Sequence, residues 1–385
     1  SEQSTRLAKA FREASPKAGY TLDPVSLSKN DVELYYHGYS NESVWPLFHD
    51  LQCNCQFDPD YWRAYVKVNR KFAQAVADAA DGDDFIWVHD YQLMDVAHHL
   101  RETHGSADLA FFLHIPFPSP DIFMSLPERQ AVLTSLLAYD LLGFQTERDR
   151  RNFVQCVRVL MKHTRVRAEG HVHSVQLDDH EVRVASFPIG IDARSMAEAA
   201  ESAEVTEFVQ GMKSRFADRQ VVFGLDRLDY TKGIPQRLRA FANLMERFPE
   251  LRKRVHLLQV VVPSREGIPS YDELRVEIER LIGHINGRYS EPGWVPIHYL
   301  YRSLDKTELL AFYRAADIAL VTPLKDGMNL VAKEFCACSL EEDSVLVLSQ
   351  FAGAAAQLGK AALVVNPHDV EQTADAIYKA FQMPA

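Results

Sequence analysis

The sequence predicts an α/β protein with two domains. Short apolar runs bounded by Gly, Pro or Asp alternate along the chain with amphipathic stretches of helical period. This alternation is typical of parallel strands that are joined by crossover helices. The chain has 385 residues, of which 47% are hydrophobic, and this is enough for two hydrophobic cores.

The predicted strands are short and apolar, as strands buried on both faces of a sheet are. They are expected at 85–88, 109–113, 141–144, 182–187, 221–225, 255–262, 318–321, 345–348 and 362–365. Helical periodicity is expected at 60–79, 128–138, 234–248, 271–287 and 306–315. Between the two halves lie Pro-Ile-Gly-Ile-Asp at 188–192 and a polar, acidic stretch at 193–206, which favours a passage between domains. We therefore expect domains at 1–200 and 201–385.

Charge and cysteine content exclude several classes of protein. A formal net charge of −11 and a sequence pI near 5.8 argue against a nucleic-acid-binding surface. The chain shows neither a long uncharged apolar run nor an apolar leader, so we expect no membrane span and a cytoplasmic location. Five cysteines are an odd number, which favours free thiols in a reducing compartment.

Two predicted strand exits carry the residues that suggest a ligand site. The run 318–321 ends in Thr-Pro and is followed by Asp-Gly-Met-Asn-Leu at 326–330, where a helix would open with unpaired N–H groups at its positive end. The run 221–225 leads into a turn that carries Arg227 and Lys232. If both strands lie in one parallel sheet, their ends share an edge and offer a cradle for a diphosphate. The alternative is that Arg227 and Lys232 are solvated turn charges and Asp326 only caps a helix.

Longer motifs carry a resemblance to a known family. Arg-Leu-Asp-Tyr-Thr-Lys-Gly-Ile-Pro-Gln-Arg at 227–237 and Thr-Pro-Leu-Lys-Asp-Gly-Met-Asn-Leu-Val-Ala-Lys-Glu at 322–334 resemble the trehalose-6-phosphate synthases. The likeness extends to Trp-Val-His-Asp-Tyr-Gln-Leu-Met at 87–94, Phe-Leu-His-Ile-Pro-Phe-Pro at 112–118 and Gly-Phe-Gln-Thr at 143–146. It implies two Rossmann-like domains that face each other across a cleft, the first on the acceptor side and the second binding a nucleotide sugar.

The resemblance assigns donor-binding roles in the second domain. It implies that Arg227 and Lys232 bind the donor diphosphate and stabilise the charge that develops on it. Glu334 would accept hydrogen bonds from the ribose hydroxyls, the alternative being an ordinary surface carboxylate. Phosphate and sugar hydroxyls would be bound by the backbone amides of Asp326, Gly327, Met328, Asn329 and Leu330.

Acceptor-binding and catalytic roles are implied mostly for the first domain. His114 would bond the donor glucose and Asp90 would orient the acceptor hydroxyls, both at the ends of predicted strands. Arg265 matches the family's phosphate-binding arginine, while Tyr36 and Trp45 match acceptor positions and could equally be core aromatics. Only Asp90 is a plausible carboxylate there, so the family's front-face substitution is expected instead of an enzyme nucleophile.

The implied reaction transfers glucose from UDP-glucose, or another nucleoside diphosphate glucose, to glucose 6-phosphate. No metal cofactor is expected, because Arg227 and Lys232 stand where many sugar transferases hold a metal. The implied partners are these small molecules, with no nucleic acid or membrane, and a homo-oligomer is compatible. The alternatives are a synthase with another phosphorylated acceptor, such as glycerol 3-phosphate, and a non-catalytic sugar-phosphate-binding paralogue.

Two features of the chain depart from the family pattern. The family's N-terminal Gly-rich loop and C-terminal helix are not found in this chain. After Trp-Pro-Leu-Phe-His at 45–49 the chain reads Asp-Leu-Gln-Cys, where many members have an aromatic and a basic residue. This second departure makes the acceptor less well determined by sequence than the type of reaction.

Overall fold

The computed structural model describes residues 19–81, 83–102, 107–178, 180–216, 219–265 and 268–383. Contacts divide the chain into two compact units, Ser1–Pro188 and Ile189–Ala385. The division falls before the boundary expected near residue 200. The reason is that residues 193–206, expected as a passage between domains, belong largely to helices, and the helix Ala193–Ala200 packs on three other helices of the second unit.

The first unit contains a mixed six-stranded sheet with the order β1-β2-β3-β6-β5-β4. Strands β1, β2, β3 and β6 are parallel, and β4 and β5 are antiparallel to their neighbours. The strand bounds are β1 Phe85–His89, β2 Asp108–Leu113, β3 Leu141–Phe144, β4 Arg165–Glu169, β5 Val172–Gln176 and β6 Glu181–Ser186. The antiparallel pair corrects the expectation of parallel strands alone.

The helices described in this unit lie before its strands and between them in the chain. Among the described residues, the α-helices are Lys29–Asp31, Trp45–Phe48, Pro59–Ala79, Val96–Arg101, Pro120–Phe123, Arg129–Leu136 and Glu147–Leu160. A π-helix spans Val32–Val44, and 3₁₀ turns span Gln52–Asn54 and Tyr91–Leu93. The long helix Pro59–Ala79 begins where its sequence predicts, because Asp58 accepts the N–H of Asp60 and Pro59 occupies the first helical position.

The second unit contains a six-stranded sheet in which every strand is parallel, with the order β12-β11-β10-β7-β8-β9. Its strands are β7 Gln220–Arg227, β8 Val255–Val262, β9 Ile297–Tyr301, β10 Ile318–Val321, β11 Val345–Ser349 and β12 Leu363–Val365. Its α-helices are Ala193–Ala200, Ala203–Phe216, Ile234–Arg247, Pro269–Tyr289, Lys306–Ala315, Leu330–Cys338, Ala355–Leu358 and Val370–Gln382. Turns of 3₁₀ helix span Tyr230–Lys232 and Pro249–Leu251.

Helices pack on both faces of this parallel sheet, so its strands are buried on both sides. Val222 and Leu257 pack into one hydrophobic cluster, while Val221 and Leu258, their chain neighbours, pack into another on the opposite face. Mostly apolar runs such as Val255–Val262 are the expected signature of such strands. The prediction of an α/β fold with buried parallel strands is confirmed for this unit.

Three strands lack this signature and are absent from the sequence-based prediction. Strands β4 and β5 form a hairpin at the edge of the sheet, with Gly170 in the left-handed region at φ 60°. All but one of the β4 residues carry charge or lie exposed, so the strand has no apolar run. Strand β9 is an edge strand with only partly buried aromatics. Across the described residues, no helix has the length and apolar character that a membrane crossing requires.

Candidate active site

Strands β7 and β10 are neighbours in the sheet of the second unit, and their carboxyl ends lie at one edge. The chain continues from β7 to β8 and β9 on one side and from β10 to β11 and β12 on the other. This reversal of strand order is the switch point at which open α/β sheets bind ligands. The prediction that these two strand exits share an edge is confirmed.

An ion pair joins the two strand exits. Lys232 lies in the turn after β7, and its Nζ is 2.6 Å from Oδ2 of Asp326, which follows β10. Asn329 also donates to that carboxylate oxygen, at 3.1 Å. Burial alone would lower the pKa of Lys232, but Asp326, Asp229 and Asp226 together raise it above its ordinary value. Lys232 is therefore a fixed, protonated cation at the sheet edge.

Arg227 is the last residue of β7, and its side chain is exposed. Within the described residues, no hydrogen bond or ion pair engages its guanidinium. A solvated turn charge would have the same contacts, so exposure alone does not assign it a ligand. Its position at the end of β7, at the switch point, makes it available to an anion bound there.

Arg265 follows the neighbouring strand β8 and has a φ of 49°. Its guanidinium donates to the hydroxyl of Tyr271, and its Cζ lies 5.5 Å from the centre of that ring. Burial and Asp229 raise the pKa of Tyr271, while Arg265 and Arg227 oppose that rise. Both arginines therefore act on the pKa of one tyrosine, and Arg265 contacts it directly. The expectation that Arg265 faces Tyr36 and Trp45 concerns both units together and stays a prediction.

The loop 326–329 is held by the segment after β11. The N–H of Asp326 donates to Phe351, the N–H of Gly353 donates to Asp326, and the N–H of Ala354 donates to Met328. Gly353 fits only because it lacks a side chain, since a Cβ there would lie 1.8 Å from the carbonyl oxygen of Gly327. Such a fixed loop presents its backbone in one conformation.

The loop geometry corrects one part of the sequence-based expectation. The helix opens at Leu330, with Asn329 as its N-cap and the Asn329 side chain accepting the N–H of Ala332. The amide of Asp326 is already bonded to Phe351, so it is not an outward donor as expected. Asp326 acts here through its carboxylate, which holds Lys232.

Glu334 lies on the helix Leu330–Cys338 and is half-buried. The hydroxyl of Tyr313 donates to Glu334 Oε2 at 2.8 Å. Tyr313 is 1% exposed, and burial raises its pKa, so it remains a neutral donor. This bond gives Glu334 a fixed orientation, in contrast to the alternative of a mobile surface carboxylate. Sequence reasoning missed Tyr313, because nothing local marks a tyrosine on another helix as its partner.

A buried arginine fixes the strand ends beneath these groups. Arg237 is 1% exposed and donates to Asp226 at 2.6 Å, to Gln259 at 3.2 Å and to Thr322 at 3.0 Å. These three partners come from β7, from β8 and from the residue after β10. Burial raises the pKa of Asp226, and Arg237 and Lys232 oppose the rise. Arg237 therefore holds the three strand ends together at the switch point.

In the first unit, Asp90 and His114 follow the paired strands β1 and β2. Asp90 Oδ1 accepts the backbone N–H of His114 at 3.2 Å, so the structure brings the two residues together as expected. Asp90 has a φ of 73°, which is uncommon for a residue other than glycine, and residues with such strained backbones cluster at functional sites. Burial raises the pKa of Asp90, while N–H groups and His114 oppose this.

His89, the last residue of β1, also contacts this pair. Its Nδ1 lies 3.0 Å from Nε2 of His114. Sequence reasoning did not select His89, although its position directly before Asp90 was a usable signal.

Tyr36 and Trp45 have different environments. Tyr36 is 36% exposed, so the residue lies partly open to solvent. Trp45 is 5% exposed and packs against Tyr91 and His49, with ring centres 5.6 and 4.3 Å away. Its environment is that of the core aromatic considered as the alternative.

Comparison with known proteins places these features in a family. The sequence profile of glycosyltransferase family 20 matches residues 2–385 of this chain. A trehalose-6-phosphate synthase of Mycobacterium avium (strain 104) is 44% identical over 364 residues, which cover 93% of this chain and 74% of that protein. The UDP-forming α,α-trehalose-phosphate synthase A of Dictyostelium discoideum is 41% identical over 366 residues, covering 95% of this chain and 49% of that protein. The chain therefore spans about half of one relative and three quarters of the other.

Solved structures show the same likeness. The α,α-trehalose-phosphate synthase (UDP-forming) of Burkholderia xenovorans, in complex with glucose-6-phosphate, has a TM-score of 0.89 and 38% identity, over 93% of this chain and 79% of that one. A trehalose-6-phosphate structure from E. coli, bound with UDP-2-fluoro glucose, has a TM-score of 0.88 and 40% identity, over 93% of this chain and 78% of that one.

Proposed function

The chain belongs to glycosyltransferase family 20, and we propose that it is a retaining glucosyltransferase that moves glucose from UDP-glucose to glucose 6-phosphate. The products are α,α-trehalose 6-phosphate and UDP. The names of the relatives support this reaction, and the two ligands seen in the solved relatives, glucose-6-phosphate and UDP-2-fluoro glucose, correspond to its acceptor and donor.

The observation that carries the proposal is the arrangement at the switch point of the second unit. Arg227 and the Lys232–Asp326 pair lie at the shared edge of β7 and β10, beside a loop whose backbone is fixed. A departing diphosphate gains negative charge, and fixed cations stabilise that charge without reorganising. We assign diphosphate binding to Arg227 and Lys232, and binding of phosphate and sugar hydroxyls to the backbone at Gly327, Met328, Asn329 and Leu330.

Other groups fix the donor and the acceptor in this proposal. Glu334, oriented by Tyr313, accepts hydrogen bonds from the ribose hydroxyls. His114 bonds the glucose of the donor, and Asp90 orients the attacking hydroxyl of the acceptor. Arg265 of the second unit is assigned to the acceptor phosphate, and Tyr36 of the first unit is assigned to the acceptor. Trp45 is only 5% exposed, so we assign it at most a minor part in acceptor binding.

Glucose transfer proceeds in this account without an enzyme nucleophile. The acceptor oxygen forms a bond to the anomeric carbon as the bond from that carbon to the diphosphate oxygen breaks. The acceptor's hydroxyl proton passes to the departing phosphate oxygen. Asp90 is held by N–H groups of the β2 exit, which favours an orienting role over attack. The cations take the place of a metal, so we propose that turnover needs none.

The test is release of UDP from UDP-glucose with a panel of acceptors: glucose 6-phosphate, glucose, glycerol 3-phosphate and fructose 6-phosphate. We expect release with glucose 6-phosphate above all others. Preferred glucosylation of glycerol 3-phosphate would identify a different synthase. Binding of UDP-glucose with no turnover on any acceptor would identify a non-catalytic paralogue.

A further inference from the structure

His89 contacts the imidazole of His114. In the proposed reaction, His114 bonds the glucose of the donor. Nδ1 of His89 lies 3.0 Å from Nε2 of His114, and the two ring centres are 5.3 Å apart. The next residue, Asp90, fixes the backbone of His114 through the N–H that it accepts. His114 is therefore held at its backbone by one residue and at its ring by another.

A hydrogen bond between two neutral imidazoles needs one proton and one lone pair. If Nδ1 of His89 carries the proton, Nε2 of His114 accepts it, and His114 carries its own proton on Nδ1. If Nε2 of His114 carries the proton, His114 has a bare lone pair on Nδ1. The contact therefore decides whether the second nitrogen of His114 donates or accepts.

The second arrangement is favoured, because a neutral histidine in water prefers the proton on Nε2. With His114 donating from Nε2 to Nδ1 of His89, both rings hold that preferred form. Partial burial and the neighbouring His114 lower the pKa of His89, which favours its neutral form. No described residue bonds Nδ1 of His114, which leaves that lone pair for a ligand hydroxyl.

We propose that His89 is a positioning residue for His114: it accepts the Nε2 proton of His114 and so fixes His114 as an acceptor, through Nδ1, for a hydroxyl of the donor sugar. This inference rests on the proposed function. His89 itself does not touch the substrate, and it acts only through the tautomer and orientation of its neighbour.

The tautomer can be measured without turnover. In protein labelled with ¹⁵N at histidine, long-range ¹H–¹⁵N correlation distinguishes protonated from bare ring nitrogens, and His114→Gln assigns the signals of His114. We expect a protonated Nε2 and a bare Nδ1 on His114 at neutral pH. In His89→Ala we expect a mixture of the two forms. A proton on Nδ1 of His114 in the parent protein would overturn the inference.

The consequence for the donor is measured by calorimetry with UDP and with UDP-2-fluoro glucose. Loss of one oriented hydrogen bond corresponds to about threefold to tenfold in affinity. We expect His89→Ala to lower the affinity for UDP-2-fluoro glucose by that factor. The affinity for UDP should stay unchanged, because UDP lacks the sugar. In His89→Asn, the side-chain amide oxygen can take the position of Nδ1 as an acceptor. This variant should restore much of the affinity for UDP-2-fluoro glucose.

The matched control is His98→Ala, an exposed histidine of the same unit on the helix Val96–Arg101, which should change neither affinity. If His89→Ala lowered the affinities for UDP and for UDP-2-fluoro glucose equally, the inference would be overturned, since a general structural defect has that effect. If the parent protein binds neither ligand, the proposed function fails, and the tautomer measurement still decides the role of His89.

Discussion

The ammonium of Lys232 lies 2.6 Å from the carboxylate of Asp326 and so ties the turn after β7 to the loop after β10. Both side chains are largely buried, at 12% and 15% exposure. The carboxylate keeps the lysine protonated and aimed at the sheet edge. Arg227, exposed at the end of β7, has no such partner among the described residues. One cation at this edge is therefore fixed, and the other is open to a ligand.

Removing either cation should slow turnover. We expect Arg227→Ala and Lys232→Met each to lower kcat about a hundredfold or more, because removing one group that stabilises the charge of a departing anion slows the reaction by about that factor. The control is Arg239→Ala, an exposed arginine of the helix Ile234–Arg247 that pairs with Glu277, which should leave kcat unchanged. Steady-state kinetics and UDP calorimetry check this. Unchanged kcat and UDP affinity in both variants would show that the site is assigned wrongly.

Arg265 should distinguish acceptor from donor. An arginine bound to phosphate makes charge-assisted hydrogen bonds, so Arg265→Ala should cost more than about 1.5 kcal/mol in acceptor binding. We expect the KM for glucose 6-phosphate to rise far more than the KM for UDP-glucose. Tyr271→Phe is the control, because it removes the hydroxyl that Arg265 bonds and keeps the arginine. Equal effects of Arg265→Ala on both KM values would exclude an acceptor-specific role.

Turnover should persist without divalent metal, since Arg227 and Lys232 supply the positive charge at the diphosphate. The measurement compares initial rates after dialysis against EDTA with rates after adding back Mg²⁺ or Mn²⁺. We expect equal rates. Activity that disappears in EDTA and returns with either ion would contradict the proposal.

The buried pair of Arg237 and Asp226 should matter for stability. Both side chains are almost fully buried, at 0% and 3% exposure. Removing one partner leaves a buried group uncompensated, which lowers the free energy of unfolding by about 3–5 kcal/mol. We expect Arg237→Met to lower the urea midpoint of the second unit strongly. Arg239→Met, on the same helix but exposed, should stay within about 0.5 kcal/mol of the parent. If Arg237→Met lowered the free energy of unfolding by less than about 1 kcal/mol, the buried pair would not have the stabilising role assigned to it.

Sequence alone predicted the parts of the site that depend on local pattern. Apolar runs ending in Thr-Pro or in Asp-Arg-Leu-Asp mark buried parallel strands and their exits, so the positions of Arg227 and Lys232 at one edge could be inferred. The strands β4 and β5 could not, because a charged edge hairpin needs no continuous apolar run.

Contacts between distant segments of the chain could not be predicted from local sequence patterns. The amide of Asp326 is occupied by Phe351, and Glu334 is oriented by Tyr313 from another helix. Both relationships depend on how separate elements pack, and no motif encodes them. The pairing of His89 with His114 likewise follows from the register of β1 and β2, which places His89 opposite Phe112.

The central claim is transfer of glucose to glucose 6-phosphate with retained configuration. The most direct measurement is NMR of the product formed from UDP-glucose labelled with ¹³C in its glucose and unlabelled glucose 6-phosphate. The account predicts a non-reducing disaccharide phosphate with the α configuration at both anomeric carbons, formed in equal amount with UDP. A β-linked product, or label found only in free glucose or on another acceptor, would contradict it.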